Sequence, residues 1–507
     1  VSPVAKRSNK RTLGQALTDV IAPLAPSLAL GREVAMTQRA VLRQRAAHYQ
    51  GAGRTARGSD FRINRTDAIE AARADSARLS WIGRDMLRNN PRAVKIRRQL
   101  VGNVVGAGIQ PTVAWKGKAE DPRKAQLEEI IRRHCLTTDW DTDGMRSMLG
   151  QQGLGFGTIV GDGEVLFRRR WRRTGDGFVL PFQVQVMEAD FLNRDIDGDL
   201  GGGRYAVQGI EFDRIGRRVA YHLYSEHPGG WRGGIPKTTR VTAENVIHAF
   251  EATRPGQQRG VTWFAPVITL LHELQKYQDG QVKRQEIAAL FAGIMTSAKP
   301  AEELDGEIGT LEAGTILQIG EDEGMEFTEP PSVEGYEPFM RITDRTIAAG
   351  MGITYEALTG DYSNVNYTSG RMGRMDVDPN VRDWQQNLMI AQVCARFAGW
   401  IAEGAALAAD IPANLYEIGW TPPVRPVIDP TKDYKAGETA TRSGQKSRRQ
   451  LVREQGGDPA KIEAEIAEER AWARSAGLVF TSDAGASATS AGDTGGDSKK
   501  DEDNGQD

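Results

Sequence analysis

Cysteine is scarce in this chain, long hydrophobic runs are absent, and net charge is almost nil. Two cysteines in 507 residues, Cys135 and Cys394, are too few for a disulfide framework or a zinc site, and fit a reducing compartment. No apolar stretch approaches the roughly 20 residues that span a bilayer, so no membrane partner is expected. The opening "VSPVAKRSNKR" has no apolar core behind its basic residues, so no secretory signal is expected either. A formal charge of −2 argues against a tight grip on nucleic acid, because each neutralised phosphate adds affinity and such proteins are usually basic. The charge is uneven: the first 65 residues are basic and the end, "GDTGGDSKKDEDNGQD", is acidic.

Catalytic and metal-binding patterns are also missing or incomplete. "DWDTDG" (139–144) starts like a calcium loop, but Gly150 stands where a bidentate Glu belongs. "HELQK" (272–276) has Lys276 in place of the second zinc-binding His. The glycine-rich "GQQGLGFGTIVGDGE" (150–164) completes neither a phosphate-binding loop nor a dinucleotide fingerprint, and is expected to bend a strand or allow close backbone approach. Asp190, Asp195, Asp197 and Asp199 could hold a metal in a nuclease-like site, but Asp/Gly clusters are commoner at β-turns. No cofactor, no metal and no catalytic residue is therefore expected.

What is present is an ordered α+β succession. Helical periodicity begins at Thr66 or Asp67 and is punctuated at Asn90–Pro91. Arg84, Arg88, Arg92, Lys95, Arg97 and Arg98 decorate the face opposite Leu79, Ile82, Met86 and Leu87, as a solvated or interfacial surface would. Period-two segments over 155–250, separated by turns such as "DIDGDLGGG", read as antiparallel strands. A helix over 264–297 would reach roughly 45–50 Å. Helical sequence resumes around 337–350 and after 377, with "GDYSNVNYTSGRMGRMD" (360–376) between as a polar loop. Charged helices fill 431–478, and 481–507 is low in complexity.

Several stretches together resemble the lambda-type family of tailed-bacteriophage portal proteins. They are "RDMLRNNPRAVKIRRQLVGNVVGAGIQP" (84–111), "GDGEVLF" (161–167), "VMEADFLN" (186–193), "VIHAFEATRPGQQRGVTWFAPVI" (246–268), "IAAGMGITYEALTGDYSNVNYTSGR" (347–371) and "VIDPTKDYKAG" (427–437). The resemblance implies a portal fold: a basic, partly ordered arm at 1–60, an α/β wing at 61–263, a stem helix at 264–297 and a small β-containing clip at 298–336. A second stem helix at 337–350, a tunnel loop at 351–376, a return helix and wing strand at 377–430, a helical crown at 431–480 and a disordered acidic tail at 481–507 would complete it. It further implies a dodecameric ring at one capsid vertex of the virion, assembled in the host bacterial cytoplasm. The ring would conduct double-stranded DNA during packaging and ejection, and would meet the terminase large subunit, a head–tail adaptor, and the major capsid and scaffold proteins. Tyr362, Ser363, Asn364, Asn366, Tyr367, Thr368, Ser369, Arg371 and Arg374 would face the DNA, where hydroxyls and amides can touch phosphates without reading sequence. Glu302, Glu303, Asp305, Glu321, Asp322 and Glu323 would form the docking surface of the clip. A lone surface loop and an acid-protected strand edge are the blander readings of these two sets. The competing class is a DNA-processing enzyme such as a metal-dependent nuclease; a smaller nucleic-acid-binding module is the third.

Overall fold

The computed structural model describes residues 34–35, 66–118, 120–230, 236–290, 294–297, 323–326, 335–424, 430–455, 457 and 459–478. The chain divides into a unit over Val1–Thr66, almost wholly outside the described residues, and a unit over Asp67–Asp507. The second unit is mixed helix and sheet, an α+β fold.

It opens with α1 (Ala68–Arg73), α2 (Ser76–Asn89) and α3 (Pro91–Val104). Asp67, not Thr66, caps α1 by accepting the Glu70 N–H at 2.8 Å. Asn90 both ends α2 and starts α3: its side-chain oxygen accepts the N–H groups of Arg92 and Ala93 at 3.0 and 3.1 Å. Pro91 takes the first helical position, where its missing N–H costs nothing. Met86, Ala93, Ile96, Leu100 and Val104 follow the 3.6-residue period into the main core.

After β1 (Gln110–Trp115) and α4 (Pro122–Ile130) comes α5 (Met148–Asp162). The glycine-rich stretch expected to bend a strand is thus a helix, capped by Ser147 and closed by Gly163 at φ 97°. Burial on most sides outweighs the poor helix propensity of glycine. The other half of the expectation holds: a Cβ at Gly155 would strike the Phe167 ring, so the missing side chain sets the distance to the neighbouring sheet.

Strands follow as expected, but from Glu164 onward. β2 (Glu164–Trp171), β3 (Phe182–Met187) and the later β9 (Val246–Phe250) form one antiparallel sheet in the order β3-β2-β9. β4 (Gly198–Gly201), β5 (Arg204–Val207), β6 (Ile210–Phe212), β7 (Arg218–Tyr224) and β8 (Thr238–Thr242) form a five-stranded meander. Gly202 and Gly203, at φ 64° and 75°, make the tight turn between β4 and β5. Leu166, Met187, Ile210, Leu223 and, from β9 (Val246–Phe250), Val246 close a second core between the two sheets.

α6 runs over Ile268–Leu290, shorter than the expected 264–297. Residues Ile294–Ser297 instead form β10, antiparallel to β11 (Glu323–Glu326). Glycine at 293 and β-branched Ile294 and Thr296 favour that ending. α7 (Tyr336–Gly350) packs beside α6, with Tyr277 against Tyr336 and Phe339 at ring-centroid distances of 5.8 and 4.9 Å. Arg92 locks α3 to this helix pair, donating to both carboxylate oxygens of Asp344 at 2.6 and 3.2 Å and to Gln278 at 2.9 Å.

α8 (Tyr355–Thr359) and α9 (Tyr367–Asp383) come next, then a π-helical segment (Trp384–Cys394) and α10 (Ala395–Ala409). Pro379 inside α9 has no N–H to give its helix, and the wider π turns follow directly. β12 (Tyr416–Thr421) returns to pair with β1, and α11 (Pro430–Arg442), α12 (Arg448–Glu454) and α13 (Pro459–Ala476) finish the described chain. The arm at 1–60, save residues 34 and 35, and the tail at 481–507 lie outside the described residues.

Candidate functional site

The polar stretch that the sequence reads as a loop to 376 is mostly helix. Only seven residues, 360–366, separate α8 from α9. Each end is fixed by a local device. Thr354 caps α8 by accepting the Ala357 N–H at 3.1 Å, and Gly360 ends it at φ 78°. Asn366 then starts α9 with a reciprocal pair: its side chain accepts the Ser369 N–H at 2.8 Å while its own N–H donates to the Ser369 hydroxyl at 3.0 Å. Between them Asp361 accepts the Ser363 N–H at 3.1 Å, and the Ser363 hydroxyl donates to it as well. Those bonds from Ser363 hold the Asp361 carboxyl below its ordinary range.

Tyr362, Ser363 and Asn364 therefore sit on an exposed link, and Asn366 is a helix cap. Tyr367, Thr368, Ser369, Arg371 and Arg374 belong to α9, a correction whose cause is this capping box; it overrides Gly370 and Gly373. All but Arg374 in this set are exposed; Arg374 is half-buried. The sequence reading missed Met372 and Met375, 66% and 63% exposed on the same first turns of α9. Their spacing of three on a helix was the available signal. It expected the C-terminal helices but not their approach to this segment: the Lys432 ammonium of α11 lies 5.2 Å from the centre of the Tyr367 ring.

Of the acidic docking set, Glu302, Glu303, Asp305, Glu321 and Asp322 lie outside the described residues. Glu323 is the first residue of β11.

The candidate metal ligands do not assemble as a nuclease site needs. Asp190 joins Glu188 and His227, with ligand atoms within 4.8 Å of one another. Arg84 already supplies the cation there, reaching Glu188 at 3.1 Å, Asp162 at 2.7 Å, and Asp190. Burial raises Asp162 to about 6 although Arg84 opposes the shift. Asp197 pairs with Arg73, Asp199 accepts the Gly201 N–H at 2.9 Å, and Asp195 is exposed elsewhere on the link to β4. In the calcium-like loop, Asp141 is buried and its two oxygens accept the N–H groups of Asp143, Met145 and Arg146 and the Gln151 amide. That carboxylate organises the turn before α5.

A second buried carboxylate does similar work. Glu164 accepts Arg259 through two nitrogens, His248 at 2.8 Å and the Gly260 N–H at 2.9 Å. Burial opposes its charge, but Arg259 and His248 together hold it ionised. No described helix is long and apolar enough to cross a membrane.

The chain matches a family model described as phage portal protein, lambda family, over residues 54–385. A probable portal protein of Halomonas phage phiHAP-1 is 26% identical over 440 residues, covering 80% of this chain and 83% of that protein. Portal protein B of Escherichia phage lambda is 21% identical, covering 57% and 61%. Among solved structures, the neck of a native gene transfer agent particle with C12 symmetry aligns at 14% identity and a TM-score of 0.45, covering 76% of this chain and 94% of that one. An HK97 family phage portal protein from Corynebacterium diphtheriae aligns at 10% identity and a TM-score of 0.32, covering 67% and 95%. The chain belongs to the lambda family of phage portal proteins, structural head–tail components of the phage rather than enzymes.

Proposed function

We propose that the chain forms a dodecameric ring at one capsid vertex, with residues 360–366 and the first turns of α9 facing the double-stranded DNA that passes through. Family membership supports the vertex and the ring. The observation that carries the DNA-facing site is a seven-residue polar link held between two capped helices, exposing Tyr362, Ser363 and Asn364 with no lysine among them. Hydroxyls and amides exchange phosphate contacts quickly, whereas a lysine ring would hold the duplex by counterion release and slow it. Glu302, Glu303, Asp305, Glu321, Asp322 and Glu323 are the proposed docking surface for the terminase large subunit and then the head–tail adaptor. The major capsid and scaffold proteins would meet the outer face.

The capping geometry decides how to test the link. Asn366→Lys would remove the α9 cap, at about 1 kcal/mol, and confuse helix loss with added charge. Ser363→Lys with Asn364→Lys leaves both caps in place. This variant should assemble as the native chain does but slow in vitro packaging, and the defect should ease as salt rises. Packaging at the native rate and native salt dependence would remove these residues from the DNA path.

A further inference from the structure

β2 ends in consecutive arginines that its alternation sends to opposite faces. Arg169 turns to the helical side, where it is buried, donates to Asn245 at 3.0 Å and to Glu403, and lies 4.4 Å above the Trp171 ring. Arg168 and Arg170 turn to the side of Leu166, toward the five-stranded sheet. With Arg169, Trp171, Arg172, Val241 and Asn245 they line a cleft of about 340 Å³ around the end of β2, beside β8. Arg172 donates to Gln183 at 2.8 Å. Arg168 and Arg170 are half-buried, and among the described residues neither has an acceptor or a carboxylate. Gln185, opposite Arg168 in β3, has its buried side-chain oxygen unpartnered as well. Burial and the adjoining Arg170 lower Arg168 to about 10. Two neighbouring half-buried cations without a counter-charge are destabilising unless something outside the chain supplies one.

The complement lies on the opposite edge of the same meander. The order is β4-β5-β6-β7-β8, so the cleft is at one edge and β4 at the other. All four β4 residues are exposed, Asp199 among them.

We propose that the arginine cleft of one subunit receives the β4 edge, with its Asp199 carboxylate, of a second copy of the chain. The inference rests on the ring reading above and names its contact. Because donor and acceptor surfaces occupy opposite edges, the contact is head-to-tail, the kind that closes into a ring when the rotation allows. A two-fold contact would have to engage both edges of each subunit in one interface. Carboxylates forked onto guanidinium groups fit a narrow cleft, whereas the cylinder of a duplex cannot enter one of this size.

Cys135 and Cys394 are buried, so engineered thiols report without background. A chain carrying both Arg170→Cys and Asp199→Cys, treated with a flexible bismaleimide, should give a denaturing-gel ladder of dimers, trimers and higher species. Either substitution alone should give none. Rings seen by electron microscopy without a ladder would overturn the contact while leaving the ring reading intact; a native chain that makes no rings would sink both. Charge reversal gives a second test that does not depend on cross-linking geometry. Arg168→Glu with Arg170→Glu should cut the ring fraction at least tenfold while the circular dichroism spectrum stays native. Adding Asp199→Arg to the same chain should restore it at least in part, and no restoration in a folded protein refutes the pairing. Protection of the Arg170→Cys thiol from alkylation by short duplex DNA would make nucleic acid the occupant and overturn the proposal.

Discussion

His134 offers a measurable acid limb to the stability of the fold. It is fully buried, with the rings of Trp140, Phe178 and Phe182 around it at centroid distances of 6.1, 6.4 and 5.6 Å. Neither ring nitrogen has a partner at full hydrogen-bond geometry, and burial disfavours the charged ring more than the nearby Asp139 carboxylate and Phe182 backbone favour it. Burial, the largest cause, lowers its pKa from 6.5 to about 4. The folded state therefore resists a proton that the unfolded state accepts, so the stability is present above pH 6.5 and lost as pH falls toward 4. Linkage over that interval gives a loss of about 2 kcal/mol by pH 5 and about 3 kcal/mol by pH 4. His134→Phe removes the titration and keeps the edge-to-face packing. At pH 7 it should also relieve the unpartnered nitrogens, which cost on the order of 1–3 kcal/mol. Urea unfolding at pH 7 and pH 5 separates the two effects, because other acid-sensitive groups are common to both chains. The stability gap between variant and native protein should widen by about 2 kcal/mol at the lower pH. A gap that is the same at both values would refute the argument, and would mean that water reaches the ring.

Arg92→Ala should destabilise by about 3 kcal/mol, because it leaves the buried Asp344 carboxylate unpaired; Asp344→Asn in the same chain should recover part of that loss, read by denaturant midpoint. Gly163→Ala places a methyl against the Val261 backbone at a positive φ, so it should cost more than about 1 kcal/mol and lower soluble yield. Arg88, Lys95 and Arg98 have no ion pair among the described residues, so a share of ring stability carried by them should fall between low and molar salt; an unchanged ring population by mass photometry would assign assembly to apolar packing. Truncation after Phe480 should leave ring formation intact, since that acidic, low-complexity composition cannot offset its ordering entropy.

Sequence legibility followed how local each cause is. The start of α3 was readable because Asn90 and Pro91 do their work within three residues. The strands were readable because period two is a property of neighbours, and Leu166 against Phe167 does separate the two cores. The end of α9's leading loop was readable in principle, since Asn366 and Ser369 form a capping box on their own. Counting all polar residues as one lining surface hid that pattern. Helix α5 could not be read this way. Its glycines are tolerated because Phe167, Arg97 and Leu87 approach them, and those contacts exist only after the chain has folded.

The arginines make the same point for function. Along 84–98 they look like one charged face, yet Arg84 finds Asp162 78 residues away and Arg92 finds Asp344 252 residues away. Those two are internal joints, and their substitution tests stability. Arg168 and Arg170 are half-buried with no such acid among the described residues. Sequence spacing cannot separate the two kinds, because the distinction is whether a carboxylate arrives from elsewhere in the same chain. Where it does, the charge is spent within the subunit. Where no described acid does, the charge is left for the proposed neighbouring copy to balance. That asymmetry directs attention from the basic helices α2 and α3 to the short strand where positive charge is least compensated.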